Sequence, residues 1–133
     1  MDDAPRILLV DDDIDSADML AEFIGLRGYG QARCAHDAPQ AIELAREFSP
    51  TLVLLDIQLP GAIDGCELAR RLRVEVPDAK LIAVSGYADQ AHRRRALKAG
   101  CVDYMTKPVH FPLLDVLLAG SVNASRDAHR ISR

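Results

Sequence analysis

Cysteine and aromatic residues are scarce in this sequence of 133 residues. It has no tryptophan, aromatic residues make up only 5% of it, and its three cysteines form no CxxC pair. An odd and scattered set, here Cys34, Cys66 and Cys101, argues against a disulfide framework and against a zinc site. We therefore predict that the cysteines are small, buried apolar residues.

An excess of one charge and long apolar runs are lacking as well. The net charge is only −4, with both signs mixed along the chain, so the sequence lacks the basic footprint of a nucleic-acid-binding protein. The short basic run at residues 92–95 is predicted to be a solvated helix face. No apolar run approaches the roughly 20 residues of a membrane span, and the acidic start is unlike a signal peptide. We expect a cytoplasmic protein with no nucleic-acid and no membrane partner.

Strand and helix signals alternate five times along the chain, with short connections. Buried strands are predicted at about residues 6–10, 31–35, 52–56, 80–84 and 102–105, and the first helix at about 16–27. The pattern predicts an α/β fold, a doubly wound five-stranded parallel sheet that is flavodoxin-like and built as (βα)5. If the winding direction reverses once, after the second strand, the order is 2-1-3-4-5. Residues 1–119 are assigned to this domain, and residues 120–133 to a flexible C-terminal tail.

Acidic residues directly follow two of the predicted strands. Asp11 and Asp12 follow the run ILLV, and Asp56 follows the run LVLL. Because the first and third strands are neighbours in this order, we expect the three carboxylates to converge at the carboxyl edge of the sheet. Like charges about 4 Å apart repel by roughly 4 kcal/mol at an effective dielectric constant near 20, which indicates a bound cation. Oxygen ligands with room for water favour Mg²⁺. The next acid, Asp13, is assigned to helix capping.

Two further side chains are predicted at the same edge. Ser85 ends the fourth strand, where its hydroxyl can donate to a group held by Asp56. Lys107 follows the fifth strand, and its long side chain can bring the ammonium to that carboxylate. Pro108 is expected to follow Lys107 through a cis peptide bond. Such groups, with Mg²⁺, can neutralise phosphoryl oxygens while Asp56 attacks phosphorus. The sequence therefore predicts an aspartyl phosphate at Asp56.

These fragments resemble the response-regulator receiver domain of two-component signalling, in the CheY-like superfamily. The resemblance covers about residues 5–119 and rests on ordered motifs: Asp11-Asp12, LVLLDIQLPG around Asp56, AVSGYA around Ser85, DYMTKP around Tyr104, and Lys107-Pro108. It implies a phosphorelay in which Asp56 receives its phosphoryl group from a histidine kinase or a histidine phosphotransfer protein. One departure is the segment PGAIDG at residues 60–65, which is a residue longer than in many members and is expected to change the shape of a loop.

The resemblance also implies roles for individual residues. It implies a magnesium site with four ligands: Asp11, Asp12, Asp56 and the backbone carbonyl of Gln58. Ser85 and Lys107 would contact the phosphoryl group, and Ser85 and Tyr104 would act as the switch residues. Gln58 and Tyr87 would flank the solvent side of the phosphate and affect how quickly water removes it.

The last predicted helix, at about residues 112–119, is unusually apolar. Asp115 is almost its only charge, whereas packing on a sheet requires only one apolar stripe. We expect Leu113 and Val116 to remain exposed as a partner surface, for a downstream protein target or for a homodimer. The domain would then act as a single-domain regulator or as the receiver of a hybrid kinase. It would catalyse only its own phosphorylation and dephosphorylation and would not be a turnover enzyme.

Two alternatives remain open from the sequence. A haloacid-dehalogenase-like phosphatase also uses a nucleophilic aspartate, Mg²⁺ and a lysine, but it requires a DxDxT-type motif on its first strand, where this chain has Asp11-x-Asp13-x-Asp15. The second alternative is a receiver-like binding module that works without phosphorylation.

Overall fold

A computed structural model describes residues 4–119 of the chain. Its strands are β1 (Arg6–Val10), β2 (Gln31–Ala35), β3 (Leu52–Asp56), β4 (Lys80–Ser85) and β5 (Asp103–Thr106). Its helices are α1 (Ile14–Leu26), α2 (Ala38–Phe48), α3 (Gly65–Glu75), α4 (Gln90–Ala99) and α5 over residues 111–119. The predicted tail, residues 120–133, lies outside the described residues.

The strands form one parallel sheet in the order β2-β1-β3-β4-β5, which confirms the predicted topology. In register, Val10 pairs with Leu55 across β1 and β3, and Asp56 pairs with Val84 across β3 and β4. The carboxyl ends of the three central strands therefore lie level at one edge, which is where ligands bind in open α/β sheets.

Alternating strand residues divide the core into two layers. Leu8 and Val10 pack with α2, α3 and α4 on one face of the sheet, whereas Ile7 and Leu9 pack with α1 and α5 on the other. The buried contacts of the last helix come from Leu114 and Leu118. Because both faces are covered, the central strand β3 is buried along its whole length, as expected of a parallel strand.

Aspartates begin the four helices that follow β1, β2, β3 and β4. Asp13, Asp37, Asp64 and Asp89 each accept hydrogen bonds from amides of the first turn, which satisfies donors that have no partner within the helix. The predicted capping role of Asp13 is confirmed. It also explains why α1 begins at Ile14, two residues before the predicted start near Ser16.

The predicted strand ends differ from the structure by one residue in β4 and β5. Ser85 pairs with Thr106 in the ladder, so β4 extends through Ser85 and β5 covers residues 103–106. The predicted cis bond between Lys107 and Pro108 is confirmed.

The cysteines are free thiols, as predicted. Cys66 and Cys101 are buried, and burial raises the pKa of the Cys101 thiol to about 12. Cys34 is only half-buried, which departs from the prediction because β2 is the edge strand of the sheet. Within residues 4–119, no helix combines the length and apolarity needed to cross a membrane.

Candidate functional site

Three carboxylates meet at the carboxyl edge of the sheet, as predicted. Oxygens of Asp11, Asp12 and Asp56 all lie within 4.8 Å of one another. Asp11 and Asp56 are only 5% and 4% exposed, whereas Asp12 is exposed to solvent. A set of hard oxygen donors, with one ligand open to water, suits a cation such as Mg²⁺ that retains part of its hydration shell. The acidic pocket can therefore hold a metal ion.

The backbone around Asp11 fixes the orientation of this carboxylate. The amide of Asp13 donates to Oδ1 of Asp11 over 2.9 Å, so the chain turns sharply before α1 begins. Beyond β2, Nδ1 of His36 lies 3.0 Å from the backbone oxygen of Asp11. His36 is half-buried against the pocket, because parallel pairing aligns the ends of β1 and β2.

Lys107 provides the positive charge of the pocket. Its Nζ lies 2.9 Å from Oδ2 of Asp56 and 3.4 Å from Oδ2 of Asp11. The backbone amide of Lys107 donates to the carbonyl of Ser85 over 2.7 Å, which anchors the residue beside the end of β4. The predicted approach of this ammonium to the carboxylates is confirmed, and it partly offsets their mutual repulsion.

Burial and neighbouring charges both change the pKa values of Asp11 and Lys107. Burial raises the pKa of the Asp11 carboxyl above its ordinary value, although the amide of Asp13 and the charge of Lys107 oppose that shift. Burial by itself lowers the pKa of Lys107, but the hydrogen bond and charge of Asp56, followed by those of Asp11, outweigh it and leave that pKa raised. Lys107 is therefore a cation at neutral pH.

Ser85 and Gly86 form the wall of the pocket on the β4 side. Ser85 is fully buried, and its Oγ accepts from the amide of Tyr87 over 3.1 Å. The side chain of Gln58 reaches this wall, where its Oε1 accepts from the amide of Gly86 over 2.6 Å and from the Ser85 hydroxyl over 3.4 Å. The backbone amide of Gln58 donates to Oδ1 of Asp56 over 2.8 Å. Gln58 thus links the central carboxylate to the donors of β4.

Tyr104 occupies an inward position beneath the loop after β4. It is only 7% exposed, and its hydroxyl donates to the backbone carbonyl of Tyr87. The ring of Tyr87 stacks on His92 in the first turn of α4, with centroids 4.2 Å apart. A continuous set of contacts therefore joins β5, the loop after β4 and α4.

Comparison with known families identifies this arrangement. The family model described as "Response regulator receiver domain" matches residues 7–119. The chain belongs to the response-regulator receiver domain family. This membership favours the receiver interpretation over the haloacid-dehalogenase-like alternative, because the acids, Ser85 and Lys107 all lie within one matched domain.

Curated relatives match this chain over only part of their own length. The response regulator GacA of Pseudomonas aeruginosa is 40% identical over 89 residues, which are 67% of this chain and 40% of that protein. The transcriptional regulatory protein AruR of the same species is 40% identical over 111 residues, which are 80% of this chain and 44% of that protein. The chain thus spans less than half the length of these relatives.

Solved structures share the fold at lower identity. A CheY-like receiver domain protein from Methanospirillum hungatei superposes with a TM-score of 0.84 at 29% identity, covering 93% of this chain and 98% of that one. NtrX from Brucella abortus gives a TM-score of 0.85 at 28% identity and covers 96% of this chain, but only 29% of NtrX is matched.

Most of the predicted site residues are neighbours in this receiver domain, and two are not. Asp11, Asp12, Asp56 and Lys107 form the pocket, and Ser85 lies at its wall. Leu113 and Val116 lie on α5, where they are 46% and 66% exposed as predicted. The sequence did not indicate the Gln58 side-chain contacts, because a glutamine two residues beyond a strand has no distinctive pattern.

Proposed function

We propose that Asp56 is the phosphoacceptor of this receiver domain. The ammonium of Lys107, 2.9 Å from Oδ2 of Asp56 in a cluster with Asp11 and Asp12, is the observation that carries this proposal. An ionised carboxylate needs no general base, and a fixed cation beside it stabilises the negative charge of a transferring phosphoryl group. The pocket therefore favours phosphoryl transfer over simple cation storage.

In the proposed reaction, an Asp56 carboxylate oxygen attacks the phosphorus of a phosphohistidine. An O–P bond forms, the P–N bond breaks, and the histidine leaves as a neutral imidazole that keeps its proton. Lys107 and the Ser85 hydroxyl contact phosphoryl oxygens, and Ser85 and Tyr104 transmit the change of state. The product is an aspartyl phosphate, and the domain catalyses only its own phosphorylation and dephosphorylation.

Mg²⁺ is the proposed cofactor. Asp11, Asp12, Asp56 and the backbone carbonyl of Gln58 would hold it, and it would neutralise phosphoryl charge when bound. The exposure of Asp12 and the wholly oxygen donor set support this choice over a transition metal.

The proposed phosphodonor is a histidine kinase or a histidine phosphotransfer protein. A largely apolar groove of about 300 Å³ opens beside the acids. It lies between α1 and the segment after β5, and its lining includes Met19, Leu20, Val109 and Phe111 together with Asp11 and Lys107. A partner helix seated in this groove would present its side chains next to Asp56.

The proposed output is a change of partner affinity at the α5 surface, defined by Leu113 and Val116. These apolar side chains are exposed on a helix that otherwise packs on the sheet, which suits a downstream protein or a homodimer. We further propose that the domain works in the cytoplasm, without a nucleic-acid or membrane partner, as a single-domain regulator or as part of a hybrid kinase.

Intact mass after incubation with acetyl phosphate, with and without Mg²⁺, tests the phosphoacceptor. We expect wild type to gain one phosphate only when Mg²⁺ is present. Asp56→Asn should gain none, and the exposed α1 variant Asp18→Asn should behave as wild type. If wild type gains no phosphate even with Mg²⁺, the result would favour a binding module that works without phosphorylation. Turnover of a phosphate ester that depends on Asp11 but not on Asp56 would favour the phosphatase.

A further inference from the structure

The amide oxygen of Gln58 already occupies the donors on the β4 side of the pocket. Its Oε1 lies 2.6 Å from the Gly86 nitrogen and 3.4 Å from the Ser85 Oγ. Both groups donate to this one oxygen, and the shorter bond is the one to the backbone amide. The site thus holds an uncharged acceptor oxygen supplied by the protein itself.

The same donors suit an oxygen of a phosphoryl group on Asp56. Such a group has three outer oxygens. The metal site and Lys107 would contact two of them. Ser85 and Gly86 follow Val84, the partner of Asp56 in the ladder, so their donors lie beside the end of β3 and can contact the third oxygen. Each of these donors has a single proton, and both protons are given to Gln58, so neither is free for a phosphoryl oxygen until the Gln58 oxygen leaves.

We propose that Gln58 is an autoinhibitory residue whose side-chain oxygen must leave the Ser85 and Gly86 donors before the phosphoryl group can bind there. This inference rests on the proposed role of Asp56. It concerns the step of phosphoryl binding and is separate from the rate at which water later removes the phosphate.

The surroundings of Gln58 define how the contact can be broken selectively. A Cβ built on Gly86 would lie 3.0 Å from Oε1 of Gln58, which is the end of a flexible side chain. Gly86→Ala should therefore push this oxygen away by a few tenths of an ångström, without a backbone clash. Gln58→Leu removes the oxygen but keeps the backbone carbonyl proposed to bind Mg²⁺ and the backbone amide that donates to Asp56.

Beryllofluoride, a phosphoryl mimic, provides the binding test. Its Kd in the presence of Mg²⁺ is measured by titration calorimetry for wild type, Gln58→Leu, Gly86→Ala and Asp56→Asn. Losing the competing hydrogen bonds should lower the Kd of Gln58→Leu by roughly fivefold, and weakening them should lower the Kd of Gly86→Ala by a smaller factor. Asp18→Asn, at an exposed side chain of α1, should leave the Kd for Mg²⁺ and the Kd for beryllofluoride unchanged.

Amide spectra provide a second readout that needs neither metal nor ligand. In the free protein, the Gly86 amide proton should shift upfield in Gln58→Leu, because its short hydrogen bond is lost. An unchanged Gly86 signal, or an unchanged beryllofluoride Kd in both variants, would overturn the inference while leaving Asp56 as phosphoacceptor. If wild type and Asp56→Asn both fail to bind beryllofluoride, the proposed function fails and this inference fails with it.

Discussion

The ammonium of Lys107 and the carboxylate of Asp56 form an ion pair of 2.9 Å across a separation of 51 residues. Asp56 is buried at the end of β3, and Lys107 reaches it from the far side of β4. The pair joins the ends of β3 and β5, which are separated in the sheet by β4. It can therefore form only when all three strands are in place. It also balances a pocket in which three acids would otherwise repel one another.

Replacing Lys107 by methionine should separate metal binding from phosphoryl transfer. Without the cation, the acids repel one another more strongly, so Mg²⁺ should bind several-fold more tightly. Acetyl phosphate labelling should fall by roughly 10²-fold, because a charge that stabilises the transition state is lost. Magnesium titration and intact mass measure the two effects, and Lys98→Met on the exposed face of α4 is the control. Weaker Mg²⁺ binding in Lys107→Met would contradict this account.

The raised pKa of Asp11 predicts how metal affinity and stability depend on pH. Burial favours the protonated carboxyl in the folded, metal-free protein, so the folded state holds this proton more tightly than the unfolded chain does. Stability without metal should then fall as pH rises from 3.8 through the raised folded pKa. Mg²⁺ competes with the same proton, so its affinity should rise across the same window.

Urea unfolding and magnesium titrations over this pH range test the sign of the effect. Asp11→Asn should show a flatter dependence in both measurements. The raised pKa of Lys107 does not interfere, because its stabilising contribution is lost only as pH rises above 10.5 through the folded value. Equal slopes in wild type and Asp11→Asn would assign the linkage to another group.

Gly65, the first residue of α3, should not tolerate a side chain. A Cβ there would lie 2.4 Å from the Cα of Ile57 and 2.5 Å from its carbonyl oxygen, so the backbone next to Asp56 would have to move. Gly65→Ala should lower the free energy of unfolding by about 1–3 kcal/mol and weaken Mg²⁺ binding. Circular dichroism during urea unfolding measures the first effect.

Gly25 in α1 is the matched control for that glycine. A Cβ at Gly25 would meet no atom within 4 Å, and alanine is the better helix former. Gly25→Ala should raise the free energy of unfolding by about 0.5–1 kcal/mol and leave metal binding unchanged. If both substitutions lower stability equally, close contact with Ile57 is not the cause.

The α5 surface should control self-association of the activated domain. We expect sedimentation of wild type with Mg²⁺ and beryllofluoride to show a dimer, and Leu113→Glu to stay monomeric, because a charge would be buried in an apolar contact. Val74→Glu, at a side chain on α3 that is 80% exposed, should still dimerise. If wild type remains monomeric under these conditions, the homodimer is wrong and the α5 surface would serve a different protein partner.

The sequence by itself determined the strands, their order and most of the pocket. Apolar runs such as ILLV and LVLL are followed directly by acids. This pattern is typical of a buried parallel strand that ends at a polar site. Connections are short and right-handed, and the order 2-1-3-4-5 follows if the winding direction reverses once, after the second strand. Asp11, Asp12, Asp56 and Lys107 could therefore be assigned to one edge from their positions alone.

Only the tertiary structure decided which side chains meet across that edge. In the sequence, Asp115 is almost the only charge of α5. In the structure, its carboxylate accepts hydrogen bonds from the Arg27 guanidinium and from the Tyr29 hydroxyl, near the end of α1. Gln58 reaches Gly86 across 28 residues of sequence, and His36 reaches the Asp11 backbone. These are polar contacts between residues far apart in the sequence, and no hydrophobic period predicts them. Their partners come within hydrogen-bonding distance only when the two core layers have packed against the sheet.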